Sequence, residues 1–265
     1  MPREELWTWL NPPYKENGGE RPRGSADKQT VSAASSLDLL VQDGSIYRLG
    51  ANVLDSYAAY ADEVHDRLVD LAPDHADYIV LETFAWLGLT ADGSSSEWAA
   101  AGDFADRVEE ALGDPTAGDA RRFNSTKQAS WRRWISFLGL GSNLPLNQLS
   151  FQPGVTRRLE IELRRAELPY DTPLEIDGVL NTLGQRMPYL DRGRLRSAVA
   201  KRCGLMDDPA RLSYVMSAAL RDLHDEGIIE LERRGDAIGY VDLTHDPFHK
   251  IQSVLTLTLK DQANG

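Results

Sequence analysis

Residues 223–244, "LHDEGIIELERRGDAIGYVDLT", read as a helix end running into two alternating apolar stretches. Gly227 can take the left-handed conformation that stops a helix. Ile228 to Arg233 and Ile238 to Leu243 alternate around "RGDA" as a hairpin does, which is the wing of a winged helix. Upstream, Leu212, Val215, Met216, Ala219, Leu220 and Leu223 recur at helical spacing and form a core stripe. Asp208 with Pro209 is the expected start of that helix, which runs to about Glu226. Asp191 is expected to cap another ending at Cys203, and Thr172 or Asp171 to start one ending near Met187. Three helices and a wing make 169–265 a C-terminal winged-helix domain. The tail, "FHKIQSVLTLTLKDQANG", is expected to dock back as a helix or strand.

The same order of elements recurs twice upstream. In 1–50, a short helix from Glu4 to Leu10 and a polar loop to about Lys28 precede a helix from about Gln29 to Leu40. An Asp43-Gly44 turn and a strand, Ile46 to Leu49, then complete a degenerate winged-helix-like unit. In 121–168, Asn124 or Ser125 caps a helix with Trp131, Trp134, Ile135 and Leu138 on one side, and Gly139 and Gly141 end it. A strand, Gln148 to Gln152, and a helix from Val155 to about Ala166 follow. Between these units, 51–120 reads as three amphipathic helices, about 52–71, 73–88 and 96–112. Asp74 and Ser96 are candidate caps, Gly88 and Gly113 candidate stops, and "GDPTAGDA" a linker. The fold expected is mainly α with small β-hairpins: two or three winged-helix-like (helix-turn-helix) units joined by a helical segment.

Charge is divided along the chain. The formal net charge is −12, and 51–120 holds sixteen acidic residues against Arg67 and Arg107. From 121 to 165 the balance inverts, with nine cations against Glu160 and Glu162, and Arg186 to Arg202 holds a single acid, Asp191. Such division places one interacting face and one solvating face on the same chain. With the tryptophans inward, Lys127, Gln128, Arg132 and Arg133 fall on the outer faces of their helix, and Arg121 and Arg122 precede it. Arg192, Arg194, Arg196, Arg233 and Arg234 complete the candidate nucleic-acid contacts. The competing reading is internal: the basic helix answers the acidic segment of its own chain. The last C-terminal helix is weaker as a reading element, because Arg211, Tyr214, Ser217 and Arg221 share its outer face with Asp222 and Asp225.

No catalytic motif stands out. The chain has no Gly-rich phosphate loop with Lys-Ser or Lys-Thr, no G-x-G-x-x-G, no H-E-x-x-H and no G-x-S-x-G. His245 and His249 are four apart, but Pro247 between them argues against a helical metal site. Cys203 is alone, so no disulfide within the chain is possible. "RGD" at 234–236 and "NST" at 124–126 are read as turn and cap. Without an apolar run of spanning length or a signal-peptide layout, a cytoplasmic protein without cofactors or metal is expected.

"FNSTKQASWRRWISFLGLG", 123–141, and "ALRDLHDEGIIELERRGDA", 219–237, resemble the DpdG-type proteins of bacterial clusters that insert 7-deazaguanine derivatives into DNA and restrict unmodified DNA. The resemblance implies an accessory, non-catalytic member of a DNA-modification, restriction and antiviral-defence system, and it transfers no catalytic residues. The function expected is a DNA-binding or adaptor protein that contacts DNA through the basic surface after residue 120, with other subunits of the complex as partners. The alternatives are an interaction scaffold without DNA contact, and a winged-helix transcription regulator.

Overall fold

The computed structural model describes residues 1–2, 5–6, 26–50, 55–91, 102–113, 121–143, 151–233 and 239–261. The expected first helix, the loop before residue 26, Ser96, the linker after Gly113, the start of the strand at Gln148, and "RGD" with Arg234 lie largely or wholly outside them. The chain forms two compact units, Met1–Asp70 and Leu71–Gly265. Within the described residues it is mainly helical with small antiparallel sheets, and no helix is long and apolar enough to cross a membrane.

In the first unit, α1 (Ala26–Ser36) leads into a hairpin of β1 (Leu40–Asp43) and β2 (Ile46–Leu49), in register Leu40↔Leu49 to Asp43↔Ile46. The expected strand is met. The expected helix to Leu40 is not: Asp38 adopts φ 54°, which ends α1 and frees Leu40 to pair. Gly44 at φ +59° makes the tight turn. Met1 and Tyr47 exchange backbone hydrogen bonds at 3.0 and 2.9 Å, extending the hairpin by one short edge. Then α2 (Tyr57–Asp70) sends Arg67 to the carbonyls of Leu37 (2.8 Å) and Gly50 (3.3 Å), with Glu63 holding the guanidinium at 2.7 Å. A Cβ at Gly50 would collide with the Asp38 carbonyl, so only glycine closes this junction.

The second unit is built around α3 (Ile79–Thr90), entered through a single 3₁₀ turn (Ala76–Tyr78) that the His75 imidazole caps. An amphipathic helix ending at Gly88 is expected here. Instead nine residues from Ile79 to Gly88 are buried, and Gly88 lies inside the helix, because three partners surround α3. These are α4 (Phe104–Leu112), α5 (Ser125–Phe137) and, past α6 (Thr156–Arg165) and α7 (Ile176–Arg186), α8 (Arg194–Cys203). Phe104, Phe123, Trp131 and Phe151 form one aromatic cluster with ring centroids 5.4–6.1 Å apart. Gly113 ends α4 as expected, and Asn124 caps α5 by accepting from the Lys127 amide at 2.9 Å. After Gly139 (φ +75°), β3 (Gly141–Asn143) pairs with β4 (Phe151–Pro153).

Three helix starts, expected at Thr172 or Asp171, at Asp191 and at Asp208, fall later in the chain. A short strand, β5 (Leu174–Glu175), precedes α7. Asp191 does not cap α8, since it is bonded elsewhere. Asp208 accepts from the Ala210 amide in a local turn, and α9 (Tyr214–Asp225) begins only where Ser213 caps it. The helix ends are met: Gly204 (φ 63°) follows Cys203 and Gly227 (φ 71°) follows α9.

Among the described residues the expected pairing of 228–233 with 238–243 is not found. β6 (Ile229–Glu232) pairs with the tail strand β9 (Thr256–Leu259), in a sheet ordered β5-β9-β6. β7 (Val241–Asp242) pairs instead with β8 (Ser253–Val254). The tail wins because all four β9 side chains are buried, among them Leu257 and Leu259, so it brings more apolar surface than the return strand does. The tail therefore docks back as a strand.

Candidate nucleic-acid interface

Six of the ten candidate cations have a described side-chain partner, Arg132, Arg133 and Arg194 are placed by exposure, and Arg234 lies outside the described residues. Arg121 is exposed and 2.6 Å from Asp106 on α4. Arg122 is one residue on. Its Nη1 stands 3.0 Å from the Leu112 carbonyl, to which it donates, and 3.0 Å from Glu82 Oε2 on α3. The latter approach is an ion pair without hydrogen-bond alignment. Glu109 fixes the backbone here by accepting from the Arg122 and Phe123 amides at 3.2 and 2.8 Å. Lys127 donates from Nζ to the Arg122 carbonyl at 2.7 Å.

The second basic stretch reaches the same carboxylate. Arg202, in the last turn of α8, places Nη2 2.7 Å from Glu82 Oε1. Glu82 is 5% exposed, while the side chains of Arg122 and Arg202 are 26% and 42% exposed. A buried acid thus stands behind two cations that reach solvent. Tyr78 borders the group: burial pushes its phenol above the ordinary range, Glu82 adds to the rise, and Arg194, Arg202 and Arg122 oppose it. Arg194 opens α8 and is exposed, as are Ser197, Ala198, Lys201 and Arg202 along one face of the helix.

The remaining candidates lie apart from this group or turn inward. On α5, Arg133 is exposed and Arg132 half-buried, but Gln128, expected outside, is buried beside Trp131 and Ile135. Arg192 (φ 66°) pairs with Asp177 at 2.6 Å. Arg196 is buried, with Nε 2.8 Å from Asp207 and Nη2 4.0 Å from Asp191, and so cannot meet a phosphate. Arg233 lies over the Tyr240 ring at 5.3 Å. His249 is not on a helix and pairs with Asp225 at 3.2 Å.

The outer face of α9 is also occupied. Ser217 and Arg221, expected to face outward, are buried under the chain that follows. Ser217 Oγ accepts from the Thr244 amide at 2.9 Å, and Arg221 donates to the carbonyls of Thr244 and Ile251 at 2.9 Å each. This helix has no open face of the kind that reads a groove. Glu82 and Tyr78 are not legible from the sequence as part of this group, because an acid among fifteen others in its segment carries no local sign of distant partners.

These features define a mainly helical protein with small antiparallel sheets, whose two basic stretches meet at one buried carboxylate. A family model described as DpdG-like matches residues 1–237, and the chain belongs to that family. Membership links it to DNA modification. No curated protein and no solved structure matches the chain.

Proposed function

We propose that the chain is a non-catalytic DNA-binding or adaptor protein of a DNA-modification and phage-defence system, and that it contacts DNA through the surface bearing Arg121, Arg122, Lys127, Arg194 and Arg202. The observation that carries this reading is the convergence of two basic stretches, eighty residues apart in sequence, on Glu82. A duplex responds to the local field within about a Debye length of roughly 8–10 Å, so a concentrated patch attracts it even on a chain of negative total charge. The order α7, α8, α9, β6, with β9 in the place of the return strand, supports a winged-helix-like C-terminal unit. With α9 covered, such a unit holds DNA through α8 and the backbone phosphates rather than through a helix in the groove.

A duplex titrated with the full chain over a range of NaCl concentrations tests this. Affinity falling steeply with salt, with a slope lowered by Arg121→Ala or Lys127→Ala, supports DNA contact. Absence of binding at low salt favours the second reading, an interaction scaffold. The observation behind that reading is that Arg121, Arg192 and Arg196 each already pair with an acid of the same chain.

A further inference from the structure

Glu82 lies too deep to touch a bound duplex, yet it joins the two most informative cations of the surface. Arg202 meets one of its oxygens at 2.7 Å and Arg122 approaches the other at 3.0 Å. Each guanidinium uses a single nitrogen for this, since Nη1 of Arg122 also serves Leu112. Among the described residues no other nitrogen of either group has a protein partner. A guanidinium held at one corner presents its remaining N–H donors in a fixed planar fork, the geometry that matches two oxygens of a phosphate. Two such forks on one carboxylate are held side by side, although mutual repulsion alone would drive them apart.

We infer that Arg122 and Arg202, bridged by Glu82, form one clamp for a single backbone phosphate of DNA. Glu82 is its positioning residue. The inference rests on the DNA-binding reading and deepens it, since two stretches distant in sequence then make one contact rather than two.

The clamp is tested by a double-mutant cycle on duplex affinity and its salt slope, using the full chain. Arg122→Ala and Arg202→Ala are each expected to weaken binding by about tenfold and to lower the salt slope by about one. The double variant is expected to do little more than either single one. Losses that multiply to about a hundredfold, with a slope change near two, overturn the clamp in favour of independent contacts.

Two further variants separate geometry from charge. Arg202→Lys keeps the charge but loses the fork, so binding is expected to fall nearly as far as with alanine; full binding overturns the clamp. Glu82→Gln keeps the shape and removes a negative charge near the duplex. As a plain neighbouring charge its loss strengthens binding, whereas as the bridge its loss weakens binding. Circular dichroism and the thermal midpoint of each variant identify a loss that comes from unfolding, and the Arg202→Lys comparison is then decisive. Wild-type binding that survives all these changes overturns the clamp alone. No wild-type binding at low salt overturns the DNA reading and the clamp together.

Discussion

Asp191 accepts two hydrogen bonds from Ser213, one from its amide at 2.7 Å and one from its hydroxyl at 2.6 Å. The carboxylate therefore ties the turn before α8 to the residue that caps α9, and with Arg196 and Asp207 it closes a buried polar group. Charge-assisted hydrogen bonds in a buried setting are each worth about 1.5–3 kcal/mol. Asp191→Ala is expected to lower stability by about 2–4 kcal/mol in urea unfolding, more than Ser213→Ala, which removes a cap worth about 1 kcal/mol and one bond. Equal midpoints for wild type and Asp191→Ala contradict this.

Arg221 of α9 holds the chain that covers it, through the carbonyls of Thr244 and Ile251. Burial pulls its guanidinium pKa down from the usual value, although the group stays protonated at any ordinary pH. Arg221→Met keeps volume and leaves these carbonyls without their donor. The expected loss is about 2–3 kcal/mol, with faster amide exchange at Leu243, whose amide bonds to Gln252, and at Val254 on β8. Unchanged exchange at both amides refutes the role assigned to Arg221.

Such long-range links mark where sequence reading fails. Helix ends were legible because Gly204, Gly227 and Gly139 supply left-handed residues that announce themselves locally, and Asn124 likewise declares a cap. Helix starts at Asp191 and Asp208 were not, since an aspartate that can cap can equally accept from a distant serine or from its own turn. The pairing of β6 with β9 was hidden as well, because "RGDA" is a good local turn and the choice between strands depends on buried area far along the chain. The basic stretches could be read as surface, but their meeting at Glu82 required the packing of α3 on α8.

The Glu230–Lys260 pair, 2.5 Å apart, links neighbouring strands β6 and β9 at the surface. The hydrogen bond from Lys260 holds the Glu230 carboxyl below its ordinary value, and the same bond holds the lysine above its own. A lowered acid stabilises the fold above its unfolded pKa, and that contribution is lost as pH falls through the folded value. A raised lysine stabilises below its unfolded pKa, and that contribution is lost as pH rises through the folded value. The pair thus acts between about 4.5 and 10.5, the ordinary values of the two groups. Both side chains are solvated, so the effect is small. Glu230→Gln is expected to lower the urea midpoint slightly near neutral pH and low salt, with the difference vanishing near pH 3 or in about 1 M NaCl.

Glu162 is the hub of a denser group, and its loss is expected to cost more than the loss of any arginine around it. Its Oε1 stands 3.2 Å from Arg158 and 2.9 Å from Arg165, and its Oε2 2.7 Å from Arg186. Glu162 and Arg158 are both 1% exposed, whereas Arg165 and Arg186 are about one third exposed. Removing the acid leaves Arg158 charged, buried and beside two like charges, while its Nε keeps the Leu138 carbonyl at 2.8 Å. Glu162→Gln is therefore expected to destabilise by about 3–5 kcal/mol. Arg186→Gln removes a partly solvated partner and leaves the acid two others, so about 1 kcal/mol or less is expected. Arg158→Met falls between them, since it empties a buried position of charge while Glu162 keeps Arg165 and Arg186. Urea unfolding of the three variants checks the order, and a loss from Arg186→Gln equal to that from Glu162→Gln shows that the acid is not the hub.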